Sequence, residues 1–347
     1  MSEKVLVGMS GGVDSSVTAK VLLDNNYTVA GFTLILCEKE DDTAVSDAKS
    51  VCDRLSIKHY TEDLSQEFKK YVINDFVNEY RICNTPNPCI VCNKYIKFGA
   101  MLDRALELGF SKIATGHYAR IEKREDGRFI LKKAFDESKD QSYVLYNLTQ
   151  HQLSHVLFPL GDITKQQVRA IALEEGFVNA NRPDSQDICF VPDGDYASFI
   201  ERYDKLKSKE GNFTDLYGNI LGRHKGIIRY TIGQRKGLGI ALGKPAFVID
   251  KNADTGDVIL GDESYLFKKE VIITDTNFIP FDILEKEMRV TVKLRYKHNA
   301  APAVIIPIED NRVKIVFDQP QRAPSPGQSA VFYDGDTVIG GGKIASL

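Results

Sequence analysis

No apolar run in this 347-residue chain approaches the roughly 20 residues that a membrane-spanning helix needs, which excludes an integral helical membrane protein. The opening residues, MSEKVLVGMSGG, carry no basic region and no small-residue cleavage site, so no secretory leader is read there and a cytoplasmic protein is expected. A disulfide framework is lacking as well. Six cysteines (Cys37, Cys52, Cys83, Cys89, Cys92 and Cys189) are too few and too unevenly spaced, and in a reducing compartment such thiols serve metal binding, catalysis or core packing. The formal net charge of −3 argues against a globally basic nucleic-acid binder. One local absence points the other way. Between Ile220 and Lys244 there is no Asp or Glu, while Arg223, Lys225, Arg229, Arg235, Lys236 and Lys244 all fall there. The glycines of that stretch let backbone N–H groups approach phosphates, which favours a polyanion partner over a merely solvated face.

What is present divides by pattern, and a chain of this length is expected to form two or three domains. The runs KVLVGM and YTVAGFTLIL read as strands. VDSSVTAKVLLDN reads as a helix with Val13, Val17 and Val21 on one face, and DAKSVCDRLS as a helix burying Ala48, Val51, Cys52 and Leu55. IKFGAMLDRALELG is a helix ended by Gly109, KIATGH a strand, and TKQQVRAIALEEGF a helix ending at Gly176. Strands alternating with helices predict a parallel sheet covered on both faces, an α/β domain over residues 1–203. KLKSKEGNFTD reads as a polar linker, followed by the basic segment and a hairpin, PAFVIDKNADTGDVILG, in a small central domain over 204–268. From 269 to 347 two-residue alternation takes over, with an Asp334–Gly335 hairpin turn, and predicts a small antiparallel β-barrel. In VTVKLRY, Val290, Val292, Leu294 and Tyr296 share one face, so Tyr296 reads as core and Arg295 faces the other way.

The stretch VLVGMSGGVDSSV is a strand, a Ser-Gly-Gly turn and a helix, an arrangement that aims backbone N–H groups at an anion on the helix N-terminus. No Lys-Ser/Thr follows the turn, so it is not a Walker loop, and the glycine spacing is not that of a dinucleotide fingerprint. Ser10 to Ser15 resembles instead the PP-loop of ATP pyrophosphatases, enzymes that adenylate a substrate oxygen and release pyrophosphate. Asp14, in the first helical turn, either caps the helix or binds Mg²⁺ between phosphates, and the second role is favoured.

Adenylation leaves the incoming nucleophile open, and the cysteines bear on it. Cys89 and Cys92 follow NTPNP, and Cys189 stands about 100 residues later in RPDSQDICF. Sulfur transfer needs one thiol to carry a persulfide and another to release it. GMSGGVDSSV, TPNPCIVCNKYIKF, ATGHYAR, KDQSYVLY, RPDSQDICF, YTIGQRKGLGI and PGQSAVFYDGDTVIGGG, in this order, resemble the tRNA-specific 2-thiouridylase family (MnmA) over the whole chain. The resemblance implies ATP-dependent activation of the C2 oxygen of the wobble uridine, U34, followed by its replacement with sulfur. It implies Cys92 as nucleophile and Cys189 as persulfide carrier, the two able to form a disulfide. Gly8, Met9, Ser10, Gly11, Gly12, Val13, Asp14 and Ser15 match the ATP loop, and Leu34 and Gly116 match further nucleotide contacts. Asn87, Pro88 and Cys89 match the segment facing the target base. His117, Lys139, Asp140, Gln141, Arg295, Tyr296 and Gln328 match tRNA contacts, to which the basic segment adds Arg235 and Lys236. The resemblance further implies tRNAs for Glu, Gln and Lys as substrates, and a sulfur-donor protein such as a cysteine desulfurase or a sulfur relay protein.

Plainer readings stand beside these. His117 is equally a satisfied loop histidine, Lys139 and Asp140 a surface pair, Cys52 a core residue, Cys37 a packing residue or a neighbour of the nucleotide, and Cys83 functionally idle. Many family members carry an acidic residue where this chain has Cys89. With it, Cys89, Cys92 and Cys189 offer three thiolates for a [4Fe–4S] cluster. Two more distant alternatives are an amide ligase with the same ATP loop, and a tRNA-binding protein whose structural zinc is held by Cys83, Cys89, Cys92 and Cys189.

Overall fold

Val5, Leu6 and Val7 are completely buried, as a strand covered by helices on both faces requires. They belong to β1 (Lys4–Gly8), which pairs in parallel with β2 (Thr28–Ile35) on one side and with β4 (Lys112–Ala114) on the other. With β3 (Lys58–Asp63) and, after a hairpin, β7 (Val156–Leu157), they form a five-stranded parallel sheet in the order β3-β2-β1-β4-β7. The order reverses beside β1. In open α/β sheets a ligand crevice opens at such a reversal, outside the carboxyl ends of the strands, and that is where Ser10–Gly12 and Gly116 lie. The computed structural model describes residues 2–37, 43–180, 188–205 and 208–345.

The intervening hairpin, β5 (Ala119–Lys123) and β6 (Phe129–Lys133), was not read from the sequence and does not belong to the parallel sheet. It joins the C-terminal barrel, where Lys132 pairs with Thr337. That barrel has six antiparallel strands: β12 (Phe267–Phe278), β13 (Met288–Lys293), β14 (Ala301–Ile308), β15 (Arg312–Arg322), β16 (Ser329–Asp334) and β17 (Thr337–Ile344). They run in the order β12-β15-β14-β13-β16-β17 and close through β12–β17 pairing, so no barrel edge is left open at that seam. Inward residues such as Ile273, Val292, Ile305, Ile315 and Phe332 fill it. Between the two lies a four-stranded sheet, β10-β11-β8-β9, built from β8 (Gly211–Thr214), β9 (Ile220–His224), β10 (Phe247–Lys251) and β11 (Val258–Gly261).

Three local expectations are corrected. The polar stretch read as a linker contains β8, because Phe213 is fully buried in the central core. The strand VTVKLRY stops at Lys293, so its alternation does not extend to Arg295 and Tyr296. The helix assigned to IKFGAMLDRALELG begins earlier. Pro88 starts it, Asn87 caps it by accepting a hydrogen bond from the Cys89 N–H (3.2 Å), and it runs through a wide π-helical stretch, Asn93–Ala100, to Glu107. Cys89 and Cys92 therefore stand on a helix one turn apart. Gly109, at φ +79°, follows its end, as expected.

Candidate active site

The turn between β1 and the first helix, α1 (Val13–Asp24), is held by its own hydroxyls. Ser15 Oγ accepts from the Ser10 N–H (3.2 Å) and donates to the Gly12 carbonyl (2.9 Å), and Ser16 Oγ donates to the same carbonyl (3.1 Å). Asn179 Nδ2 donates to the Gly11 carbonyl (2.9 Å) and to Ser16 Oγ (3.0 Å), while its own Oδ1 is buried without a partner among the described residues. Gly11 sits at φ +73°, and a Cβ there would lie 2.7 Å from Ala44 Cα, so any side chain is strained twice over. At Gly116 a Cβ would lie 2.9 Å from the Ser15 nitrogen and 2.8 Å from the Asp14 carbonyl carbon, and this contact brings the loop after β4 against the start of α1. Met9 and Val13 are buried under the loop, and Leu34 lies at the carboxyl end of β2. The first-turn N–H groups of α1 have no side-chain cap, so Asp14 is not a helix cap. Its carboxylate instead accepts from Lys165 Nζ at both oxygens (2.7 and 2.8 Å) and from the Tyr118 hydroxyl (2.8 Å). A bare glycine turn, donor-only N–H groups and a carboxylate within one helical turn fit a nucleotide phosphate with Mg²⁺, provided that Asp14 first releases Lys165.

The thiols gather about 80 residues downstream. Cys92 is buried among Phe68, Val72, Phe76, Ile96 and Phe190, and Leu34, Leu36 and Cys37 from the tail of β2 pack on the same cluster. Burial pushes its thiol up to about 12. Lys97, five residues along the π-helical stretch, draws it down, whereas Cys189 and Cys89 push it further up, so the three sulfurs feel one another. Cys89 and Cys189 are exposed, and among the described residues none of the six cysteines is joined in a disulfide. The RPDSQD run before Cys189, residues 182–187, lies outside the described residues.

The same donors do not fit a metal as they stand. Among the described residues no three Cys, His, Asp or Glu side chains form a metal-holding group. Cys83, the fourth sulfur of the zinc reading, has Lys251 and Asp250 of the central domain as its charged neighbours, not the other three thiols. Cys52 is core, as expected, and burial pushes its thiol up to about 11.

The expected tRNA contacts separate into two groups. Tyr296 is not core: it is 37% exposed, 6.0 Å from the Tyr143 ring, and burial together with Asp140 and Cys89 raises its hydroxyl pKa. The chain bends after Lys293 and turns this ring toward the thiol helix. Arg295 is the inward one, donating from Nη2 to the Arg322 and Ala323 carbonyls (3.0 Å each). Gln328 Nε2 donates to the Thr85 carbonyl (2.8 Å), and the Thr85 N–H donates to the Pro326 carbonyl (2.8 Å), so the barrel grips TPNPC directly. Asp140 is not a surface residue; its carboxylate accepts from the Ala134 and Ser142 N–H groups and from Ser142 Oγ. Gln141 Oε1 accepts from the Tyr118 N–H (2.9 Å), and Lys139 is partly buried beside them. His117 is buried between Phe98 and Phe158, with Nδ1 bonded to Thr115 Oγ1 (2.8 Å), and burial holds its pKa well below 6.5. That is the satisfied-histidine reading, not a surface contact. Arg235 and Lys236 are exposed, whereas Arg229 is paired with Glu201 (2.9 Å) and Lys244 with Asp262 (3.2 Å).

Sequence reasoning missed Lys165, Tyr118 and Asn179. Lys165 and Asn179 lie more than 150 positions from the turn they support, and no local pattern marks them. Tyr118 belongs to the quoted ATGHYAR, which was read only for Gly116 and His117.

Family models match the chain in three consecutive stretches. A family model described as the tRNA methyl transferase HUP domain matches residues 3–193, a PRC-barrel model of the same family matches 197–262, and an aminomethyltransferase beta-barrel domain matches 268–344. Among curated proteins, the tRNA-specific 2-thiouridylase MnmA of Acetivibrio thermocellus is 52% identical over 99% of both chains. Those of Clostridium beijerinckii (50% identity, 100% of both chains) and Clostridioides difficile (50%, 99% of this chain and 98% of that one) match equally broadly. With half of all positions identical from end to end, this chain belongs to the tRNA-specific 2-thiouridylase MnmA family.

Proposed function

We propose that the protein is a cytoplasmic tRNA sulfurtransferase that converts U34 of tRNA to 2-thiouridine at the expense of ATP. The reading is supported chiefly by one juxtaposition: the glycine turn at the switch point of the sheet and the Cys89–Cys92–Cys189 group, which meet along the tail of β2. The uridine C2 oxygen attacks the α-phosphorus of ATP, the bond to the bridging oxygen breaks, and pyrophosphate leaves with that electron pair. Gly8 to Ser15, Leu34 and Gly116 hold the nucleotide, and Asp14 would hold Mg²⁺, which supplies charge neutralisation on the phosphates. The terminal sulfur of a Cys189 persulfide then attacks C2 and AMP departs. Cys92 attacks Cys189 Sγ, which frees the thionucleoside and leaves a Cys92–Cys189 disulfide. One two-electron thiol reductant per turnover resets it. Asn87, Pro88, Cys89 and Tyr296 line the position of the base, and Arg235 and Lys236 meet backbone phosphate. A cysteine desulfurase or relay protein would load Cys189, and tRNAs for Glu, Gln and Lys are the substrates.

The family models carry methyl transfer in their description, but a phosphate turn and a thiol group serve adenylation and sulfur transfer. A single assay tests the reading: tRNA, ATP and a sulfide source, followed by analysis for thionucleoside, AMP and pyrophosphate. Cys92→Ser and Cys189→Ser should each abolish thiolation while pyrophosphate is still released. Thionucleoside formed at wild-type rate without either thiol, or formation of an amide product, would remove the proposal.

A further inference from the structure

Among the described residues, one lysine ammonium is buried without a hydrogen-bond partner, that of Lys251 at the end of β10. The adjoining carboxylate does not answer it. Asp250 is exposed, and its Oδ1 accepts from the Lys251 backbone N–H (2.8 Å). Burial lowers the Lys251 pKa to about 8, and Cys83 and Asp250 oppose that shift only in part. At neutral pH the group therefore stays charged. An unpaired buried charge is costly to the fold, and an apolar side chain of the same length would avoid that cost. Such a group calls for an explanation in function.

Lys251 lines a cleft of about 540 Å³ where all three domains meet. Ile82 and Cys83 come from the N-terminal domain, Ile249 and Lys251 from the central sheet, and Val271 and Ile344 from the barrel. Cys83 follows the helix Asn74–Arg81 at φ +65°, a left-handed position where a helix end usually carries glycine. A side chain stands there nonetheless, with Lys251 as its first charged neighbour. The lining is mostly aliphatic. Ile82 and Tyr265 belong to it while 59% and 49% exposed, apolar surface that the fold leaves uncovered. The exposed charges of the cleft are Asp250, Asp254 and Lys268, two carboxylates against one ammonium, which disfavours a multiply charged phosphate. No residue of the phosphate turn lines it, nor do Cys89, Cys92 and Cys189.

We propose that this cleft binds a small monocarboxylate with an apolar body, its carboxylate on the Lys251 ammonium and its body among Ile82, Ile249, Val271 and Ile344. One buried charge in an aliphatic cavity of this size is the pattern of a small-molecule site, in which the polar group fixes orientation and the apolar walls supply affinity. Such a ligand touches all three domains at once. It also meets Cys83 and Asn84, the two residues immediately before TPNPC, so it adds to the hold on the thiol helix. No bond is made or broken, and neither ATP nor tRNA takes part.

Calorimetry on the full chain with acetate, 4-methylpentanoate and phenylacetate tests this, with 4-methylpentanamide and phenylacetamide as uncharged controls. At least one of the two larger acids should bind with a Kd below about 1 mM, about tenfold or more tighter than acetate and than its own amide. Lys251→Met should weaken that binding by about tenfold or more, and should fold at least as well as the wild type because an unpaired buried charge is gone. A second readout places the ligand. The bound acid should slow iodoacetamide labelling of Cys83 severalfold and leave that of Cys89 and Cys189 unchanged. The acid–amide comparison and the Cys83 protection are made on the wild type, so they decide the question even if Lys251→Met fails to fold. Failure of both larger acids to bind below about 1 mM, binding that Lys251→Met retains, or an amide that binds as tightly as its acid would each overturn the site. Protection of Cys89 and Cys189 in place of Cys83 would put the acid elsewhere and overturn it as well.

Discussion

The phosphate turn and the thiol helix both lie beside the carboxyl end of β2, but they are held in opposite ways. The turn is secured from within the N-terminal domain, by Ser15, Ser16, Asn179, Tyr118 and the absence of a side chain at Gly11 and Gly116. The thiol helix is secured from the far end of the chain. Gln328 and Pro326 grip Thr85, the bend after β13 brings Tyr296 toward Cys89, and Lys343 pairs with Glu79 just before the helix. Asn84 Nδ2 donates to the other oxygen of Glu79 (2.7 Å), which extends that tie to the TPNPC loop. Adenylation should therefore answer only to local changes, and sulfur transfer to changes in the barrel as well.

The largest effect should come from filling the turn. Gly11→Val places a Cβ 2.7 Å from the Ala44 backbone and forces a branched residue to φ +73°. Strain of this kind costs on the order of 1–3 kcal/mol before the clash is counted, so ATP affinity should fall at least about tenfold. The alkylation pattern of the cysteines should stay as it is. A variant that still binds ATP normally would show that the turn moves freely, and the comparison would lose its rigid half.

The thiol end is tested by reactivity. Iodoacetamide at pH 8 should label exposed Cys89 and Cys189 at least about tenfold faster than Cys92, whose burial pushes its thiol up to about 12. Peptide mass spectrometry of timed samples resolves the three sites. Bound tRNA should reverse the order if it opens the pocket around Cys92, and equal rates in the free protein would place Cys92 outside the buried cluster.

A smaller effect should come from Gln328→Ala. It removes the 2.8 Å bond to the Thr85 carbonyl, worth roughly 1 kcal/mol, and leaves the phosphate turn untouched. Thiolation should fall severalfold while pyrophosphate binding holds. An equal loss in both would mean that the barrel supports the whole site.

The same contrast explains what the sequence disclosed. The phosphate turn was legible because its determinants are consecutive: strand, two glycines, Asp14, two hydroxyls. The parallel sheet and the barrel were legible from periodicity, and Cys52 from the apolar residues around it. Tyr296 and Arg295 were misread because alternation says which face a residue takes only while the strand lasts, and β13 ends at Lys293, before either of them. β8 was masked by polar neighbours around one buried Phe213. Lys165 had no local signal at all, since its partner is 151 positions away.

Lys97 joins the two ends and gives the finest test, through pH. Its charge lowers both the His117 ring, next to Gly116, and the Cys92 thiol, although burial dominates each. His117 is held neutral with a pKa well below 6.5, so its contribution to stability is present above 6.5 and is lost as pH falls. The Cys92 thiol is raised from 9.0 to about 12, so its contribution is present below 9 and is lost as pH rises toward that value. Each proton changes stability by at most about 1.4 kcal/mol per pH unit. Denaturant unfolding from pH 5 to 10 should show His117→Gln flattening the acid limb and Cys92→Ala flattening the alkaline one, where Cys52 adds its own share. Lys97→Met should act on both with opposite sign. Without the cation His117 accepts a proton more readily in the fold, which makes the acid limb shallower. Cys92 loses the one charge that lowers it, which leaves the alkaline limb as steep and makes it end at higher pH when the series is carried beyond pH 10. An alkaline limb that ends earlier in Lys97→Met, or an acid limb that becomes steeper, would mean that Lys97 does not act on these two groups as a shared positive charge.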